Sequence, residues 1–140
     1  CYNKINRRLN EWVYIMDLTI GDPVAKKIAV LVNEDTMQRC SCGGCLKAFM
    51  GKKDSFERYA DEEIELVGFT HAGGDLDKKI ASLEKNGVTT VHLSTCMRGK
   101  NDQYEDIAAR CAEKFDVVGY THGGPVSKDG KEAIILDKQV

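Results

Sequence analysis

A chain of 140 residues, 30% charged and with a formal net charge of -2, is sized for one domain, and its lysines and arginines form no basic stripe, which excludes charge-driven nucleic-acid binding. The densest apolar runs, "WVYIM" (12–16) and "IAVLV" (28–32), fall far short of the roughly 20 residues that a membrane span needs. A domain of this size buries about two-thirds of the surface its unfolded chain exposes, so it needs neither disulfides nor a metal merely to fold.

Residues 1–26 read as an N-terminal extension in which "WVYIMDLTI" (12–20), followed by a Gly-Asp-Pro turn, is strand-like and a candidate extra edge strand or homodimer strand. "KIAVLV" (27–32) is short, apolar and β-branched, the signature of a buried strand. "CLKAFM" (45–50) opens a helix that Gly51 interrupts and "SFERYA" (55–60) resumes. "IELVGFT" (64–70) is a second strand. "DLDKKIASLEKNG" (75–87) is a helix with acids in its first turn, Leu76, Ile80 and Leu83 on one face, and a stop at Asn86-Gly87. "TTVHLS" (89–94) is a third strand, and "DQYEDIAARCAEKF" (102–115) a helix with Tyr104, Ile107, Ala108, Cys111 and Phe115 on one face. "DVVGYT" (116–121) is a fourth strand, and "EAIILD" (132–137), within the C-terminal extension 124–140, is a candidate for another.

This alternation predicts a single α/β domain over 1–140: three layers, a mostly parallel sheet of at least four strands with helices on both faces, in a Rossmann or flavodoxin-like arrangement. Ligands of open parallel sheets gather beyond the carboxyl ends of the strands. Each predicted strand end there carries a soft or imidazole donor: Cys40, Cys42 and Cys45 after the first, His71 with Asp75 after the second, Cys96 after the third, and His122 after the fourth. The octamers "VGFTHAGG" (67–74) and "VGYTHGGP" (118–125) are nearly the same string, each presenting a histidine before a glycine turn. Two donors stand apart. Cys111 belongs to an apolar helix face, and His92, inside a strand, reads as a satisfied structural histidine.

The "CSCGGC" string (40–45) supplies three thiols from one turn that Gly43 and Gly44 allow to fold back. Zinc takes four Cys or His ligands in a tetrahedron, and Cys96 or a histidine would close that shell, with Asp75 a weaker oxygen donor. Two alternatives use the same residues. Cys42 and Cys45 form a C-x-x-C that could cycle as a redox disulfide, and Cys40, Cys42, Cys45 and Cys96 could hold an iron–sulfur cluster. Cys96-Met97-Arg98 sets a cation near a thiol, as an activated nucleophile requires. No phosphate-binding glycine motif and no phosphatase-type C-x5-R is present. Clustered cysteines with no secretory signal in view predict metal or redox use in a reducing compartment, the cytoplasm.

With "KIAVLV", "RC", "GCLKAF", "FERYADEEIELVGF", "VHLSTCM" and the closing "YTH" in place, the stretch from Lys27 to Gly123 resembles the CGGC domain family, small proteins described as metal-binding. The resemblance implies a metal ion as the partner. It also implies that Cys40, Cys45, Cys96 and His122 are retained family donors, a Cys3His set. The family's CGGC follows the second strand, where this chain reads Ala72-Gly73-Gly74-Asp75, and a further family cysteine is absent around Asn101-Asp102. Here the string CGGC stands one loop earlier, which makes Cys42 an extra thiol and His71 a candidate substitute ligand.

Overall fold

The computed structural model describes residues 25–139, so the strand expected at 12–20 lies outside them. Five strands form one sheet in the order β2-β1-β3-β4-β5: β1 Lys26–Val32, β2 Ile64–His71, β3 Thr90–Leu93, β4 Asp116–Val118 and β5 Ile135–Leu136. The first four run parallel and β5 pairs antiparallel to β4. The strand at the C-terminal end is thus present, but only two residues long.

Strand β1 is buried on both sides, as an uninterrupted apolar run requires. Ile28, Val30 and Val32 face a layer made by α2 (Gly43–Gly51) and a 3-10 helix (Asp54–Tyr59), where Ala48, Phe56 and Tyr59 pack. Ala29 and Leu31 face the opposite layer of α3 (Leu76–Lys85), α4 (Thr95–Lys100) and α5 (Tyr104–Ala112). Helices therefore cover both faces. No helix among the described residues is long and apolar enough to cross a membrane.

Helix α3 follows its sequence signals: the Asp75 carboxylate accepts the Lys78 amide at 3.1 Å, and Leu76, Ile80 and Leu83 are buried. In α5, Cys111 is fully buried in the core, where desolvation pushes its thiol up to about 12. One expectation needs correction. The helix opening near Cys45 does not resume after Gly51. Lys52 adopts a left-handed conformation (φ 50) that ends α2, and Asp54–Tyr59 is the tighter 3-10 form. A short helix α1, Glu34–Met37, also precedes the cysteine turn.

His92 is fully enclosed, stacked on Phe56 with ring centroids 4.2 Å apart. A carbonyl can only accept, so Nδ1 carries the proton that reaches the Tyr120 carbonyl (3.1 Å), and Nε2 accepts from the Tyr59 hydroxyl (2.9 Å). Desolvation holds the ring neutral, lowering its pKa to about 3. It is a structural histidine, as its place inside a strand suggested.

Candidate functional site

At the carboxyl edge, next to β1 where the parallel strand order turns back, a cavity of about 50 Å3 is lined by Cys40, Cys42, Cys45, Cys96 and His122, with Val32, Asn33 and Met37 as walls. Four of the cysteines and one histidine thus come together from the ends of β1, β3 and β4. His71 and Asp75 do not line it. His71 is the last residue of β2, and its Nδ1 accepts the Gly73 amide at 3.0 Å. Asp75 is committed to capping α3.

Local chemistry explains each placement. Cys42 is the N-cap of α2 in a left-handed conformation (φ 65), which turns the chain so that its amide donates to the Cys40 sulfur at 3.3 Å. Cys45 lies in the first turn of α2, buried against Thr121 at 3.1 Å. Cys96 lies in the first turn of α4, 2.8 Å from the Ser94 hydroxyl. His122 lies past β4, its ring over Gly44, where an added Cβ would come within 3.2 Å of it. A side chain at 44 would require the His122 ring to give by a few tenths of an ångström.

The partners of these hydrogen bonds distinguish Cys42 from the other thiols. Buried Thr121 already accepts the Thr95 amide (3.4 Å), and buried Ser94 accepts the Met97 amide (3.3 Å). Each hydroxyl still has a proton to give and a second lone pair, so either partner can donate in the Thr121–Cys45 and Ser94–Cys96 pairs. Cys40 accepts the Cys42 amide, Cys45 is paired with the Thr121 hydroxyl and Cys96 with the Ser94 hydroxyl. Cys42 instead turns its thiol toward the Cys40 carbonyl at 4.0 Å, a weak contact. Burial, then the negative charge of Cys40 and Cys96, pushes the Cys42 thiol up. Burial also raises Cys45, against the Thr121 hydrogen bond that lowers it, with the charges of Cys96, Cys42 and Cys40 adding to the rise.

Sequence reasoning missed the frame that positions His122. Thr95 accepts the amides of Thr121 (3.3 Å) and His122 (3.2 Å) and donates to the His122 carbonyl (2.7 Å). Ser55 donates to the Thr121 carbonyl (2.9 Å), and His92 holds that of Tyr120. The signal available was the polar pair Ser94-Thr95 before Cys96 and Thr121 before His122, small hydroxyls at the ends of two adjacent strands. Arg98 does not activate Cys96. Its buried guanidinium donates to the carbonyls of Gly124 (3.1 Å) and Pro125 (3.0 Å), holding the loop after His122.

The donor set is soft, with no carboxylate in the cavity wall, and suits a thiophilic cation. Among the described residues, no three of these side chains stand close enough to hold an ion without rotating. Cys40 and His122 are the exposed members of the set.

Fold and site together define a small α/β protein with a thiol–imidazole cluster at the carboxyl edge of its sheet. The chain belongs to the CGGC domain family, whose sequence model matches residues 27–122. No curated protein and no solved structure matches it.

Proposed function

We propose that this protein binds zinc at the carboxyl edge of its sheet through Cys40, Cys45, Cys96 and His122. The carrying observation is convergence: the cavity at the carboxyl edge is lined by Cys40, Cys45, Cys96 and His122 from the ends of three parallel strands, while Cys42 turns its thiol toward the Cys40 carbonyl. Hydrogen bonds to a liganding sulfur from outside the coordination shell orient it and spread its charge. Membership in a family described as metal-binding supports the same reading. So does the strand order of the four parallel strands, 2-1-3-4, which suits a flavodoxin-like domain with its ligand site at the β1–β3 switch point. Zinc would supply a fixed positive charge that draws the three thiolates together; the chain supplies the donors, their orientation and a wall of Val32 and Met37.

A C-x-x-C oxidoreductase needs a thiol of depressed pKa, and burial raises both Cys42 and Cys45. An iron–sulfur cluster would need Cys42 as a fourth thiolate, against its polarity here. Metal analysis of reduced protein, repeated on single variants, tests the assignment. Cys96→Ser should lower zinc affinity at least tenfold and Cys42→Ser less than twofold. No zinc uptake by the reduced protein, or equal losses in the two variants, overturns it.

A further inference from the structure

The thiol left over is the one placed to react with a neighbour. We propose that Cys40 is a site of oxidation by hydroperoxides, that Cys42 resolves it to a disulfide, and that this bond closes the cavity to metal. The gating half rests on the zinc reading, while the disulfide half stands without it.

Cys40 is the exposed thiol of the cluster; Cys42 and Cys45 are buried and Cys96 is half-buried. A peroxide arriving from solvent therefore meets Cys40 first. The Cys40 sulfur sits 3.3 Å from the Cys42 amide, and the Cys42 sulfur lies 4.0 Å from the Cys40 carbonyl, so the left-handed turn folds the two residues onto each other. Cys45 and Cys96 are paired with the Thr121 and Ser94 hydroxyls, whereas the only hydrogen bond shown for the Cys42 sulfur is its weak contact to the Cys40 carbonyl. Cys42 is packed in the cluster beneath β1, so Cys40, which is exposed together with the intervening Ser41, is the partner that moves.

The chemistry balances. The Cys40 sulfur attacks the hydroperoxide; an S–O bond forms, the O–O bond breaks, and an alcohol or water leaves with the thiol proton. The Cys42 sulfur then attacks the sulfenic acid; an S–S bond forms, the S–O bond breaks, and water leaves with the second thiol proton. Two sulfurs are oxidised and one peroxide is reduced. Zinc, which has no redox chemistry of its own, departs as the dication when Cys40 leaves the shell. A thiol reductant reverses the change.

Metal-free, reduced protein is treated with one equivalent of hydrogen peroxide, alkylated and digested. The tryptic peptide after Arg39 ends at Lys47 and carries Cys40, Cys42 and Cys45, so fragmentation must locate the bond. The expected result is a 40–42 disulfide with Cys45 alkylated, and in Cys42→Ser a sulfenic acid at Cys40 that dimedone traps. A wild-type disulfide involving Cys45 or Cys96, or no sulfenic acid at Cys40 in the variant, overturns the proposal. Zinc-loaded protein is then treated likewise. Wild type should release its zinc and rebind it after dithiothreitol, while Cys42→Ser, given excess peroxide, passes to the sulfinic acid and does not recover. If the 40–42 disulfide forms but the reduced protein never binds zinc, the pair survives and the gating is overturned together with the zinc reading.

Discussion

Residues 67–74 and 118–125 are almost one string, yet they do different work. In the first, the strand runs through to His71, which pairs with Val32 of β1. In the second, β4 stops at Val118, three residues before its threonine-histidine pair. The cause lies in the neighbours. Gly119 leaves the strand to donate to the Ile134 carbonyl at 2.7 Å, and its own carbonyl accepts from the Tyr104 hydroxyl at 2.7 Å. The freed segment 120–122 is then gripped by His92, Ser55 and Thr95, which leaves the His122 ring outside, over Gly44. His71, on the edge strand, keeps its ladder partner and a local turn. An identical threonine-histidine pair becomes a ladder residue or a site residue according to where its strand ends.

The first glycine of each string, Gly68 and Gly119, is the first place to break this. A Cβ at Gly119 would overlap the Tyr104 hydroxyl and lie 2.7 Å from the Ile134 carbonyl oxygen, which is backbone and cannot swing aside. Gly119→Ala should cost about 3 kcal/mol, measured as a lower denaturation midpoint at unchanged slope. Gly68→Ala overlaps only the end of the Leu83 side chain, which can change rotamer, and should cost about 1 kcal/mol. Equal losses would mean that the two strand ends are packed alike.

The histidines come next. On the zinc reading, His122→Ala should weaken zinc about tenfold to a hundredfold, as removal of one ligand from four does, while His71→Ala should change it less than twofold. Titration against a chromophoric chelator separates the two, and a matching loss in His71→Ala would join the two loops into one site.

How much of this was legible in the residues depended on range. The four parallel strands, α3 and α5 follow from local apolar spacing, and the gathering of donors follows from the rule that parallel strands share a carboxyl edge. Local spacing did not separate the two histidines, which only the family resemblance told apart, because the segment after Val118 is held by Tyr104 and Ile134, 14 and 16 residues away. The sorting of the thiols was not legible either. It depends on the partner each sulfur meets in the fold: the Thr121 hydroxyl for Cys45, the Ser94 hydroxyl for Cys96 and the Cys40 carbonyl for Cys42. The 3-10 helix Asp54–Tyr59 buries Phe56 and Tyr59 beneath β1, a long-range contact that local spacing does not show.

The brace on the second string makes stability depend on pH. His92 is lowered to about 3 in the fold from 6.5, so the unfolded chain binds the extra proton. Stability is then complete above pH 6.5 and falls as pH drops through that value toward 3. At pH 5.5 the loss should be about 1.4 kcal/mol. The groups around the ring are the Tyr59 hydroxyl, itself raised by burial to about 12, and the Arg58 guanidinium, which also disfavours a charged ring. His92→Gln can donate to Tyr120 and accept from Tyr59, and should lose stability overall but shed this part of the acid slope between pH 7 and 5.5. An unchanged slope would assign it to other groups.

The smallest expected effect lies in the first string. Lys79 donates to the carbonyls of His71 (2.7 Å) and Gly73 (2.8 Å), and so does for that loop what Ser55, His92 and Thr95 do for the other. It does so from a half-buried position with one flexible side chain, where water can replace it. Lys79→Met should therefore cost no more than about 1 kcal/mol and leave zinc affinity unchanged, because neither His71 nor Asp75 lines the cavity. Thr95→Val removes the corresponding anchor from the second string and should lower zinc affinity, since the amide of His122 loses its acceptor. If Lys79→Met disturbs zinc as much as Thr95→Val, the two loops act together and the difference between the strings is smaller than their geometry indicates.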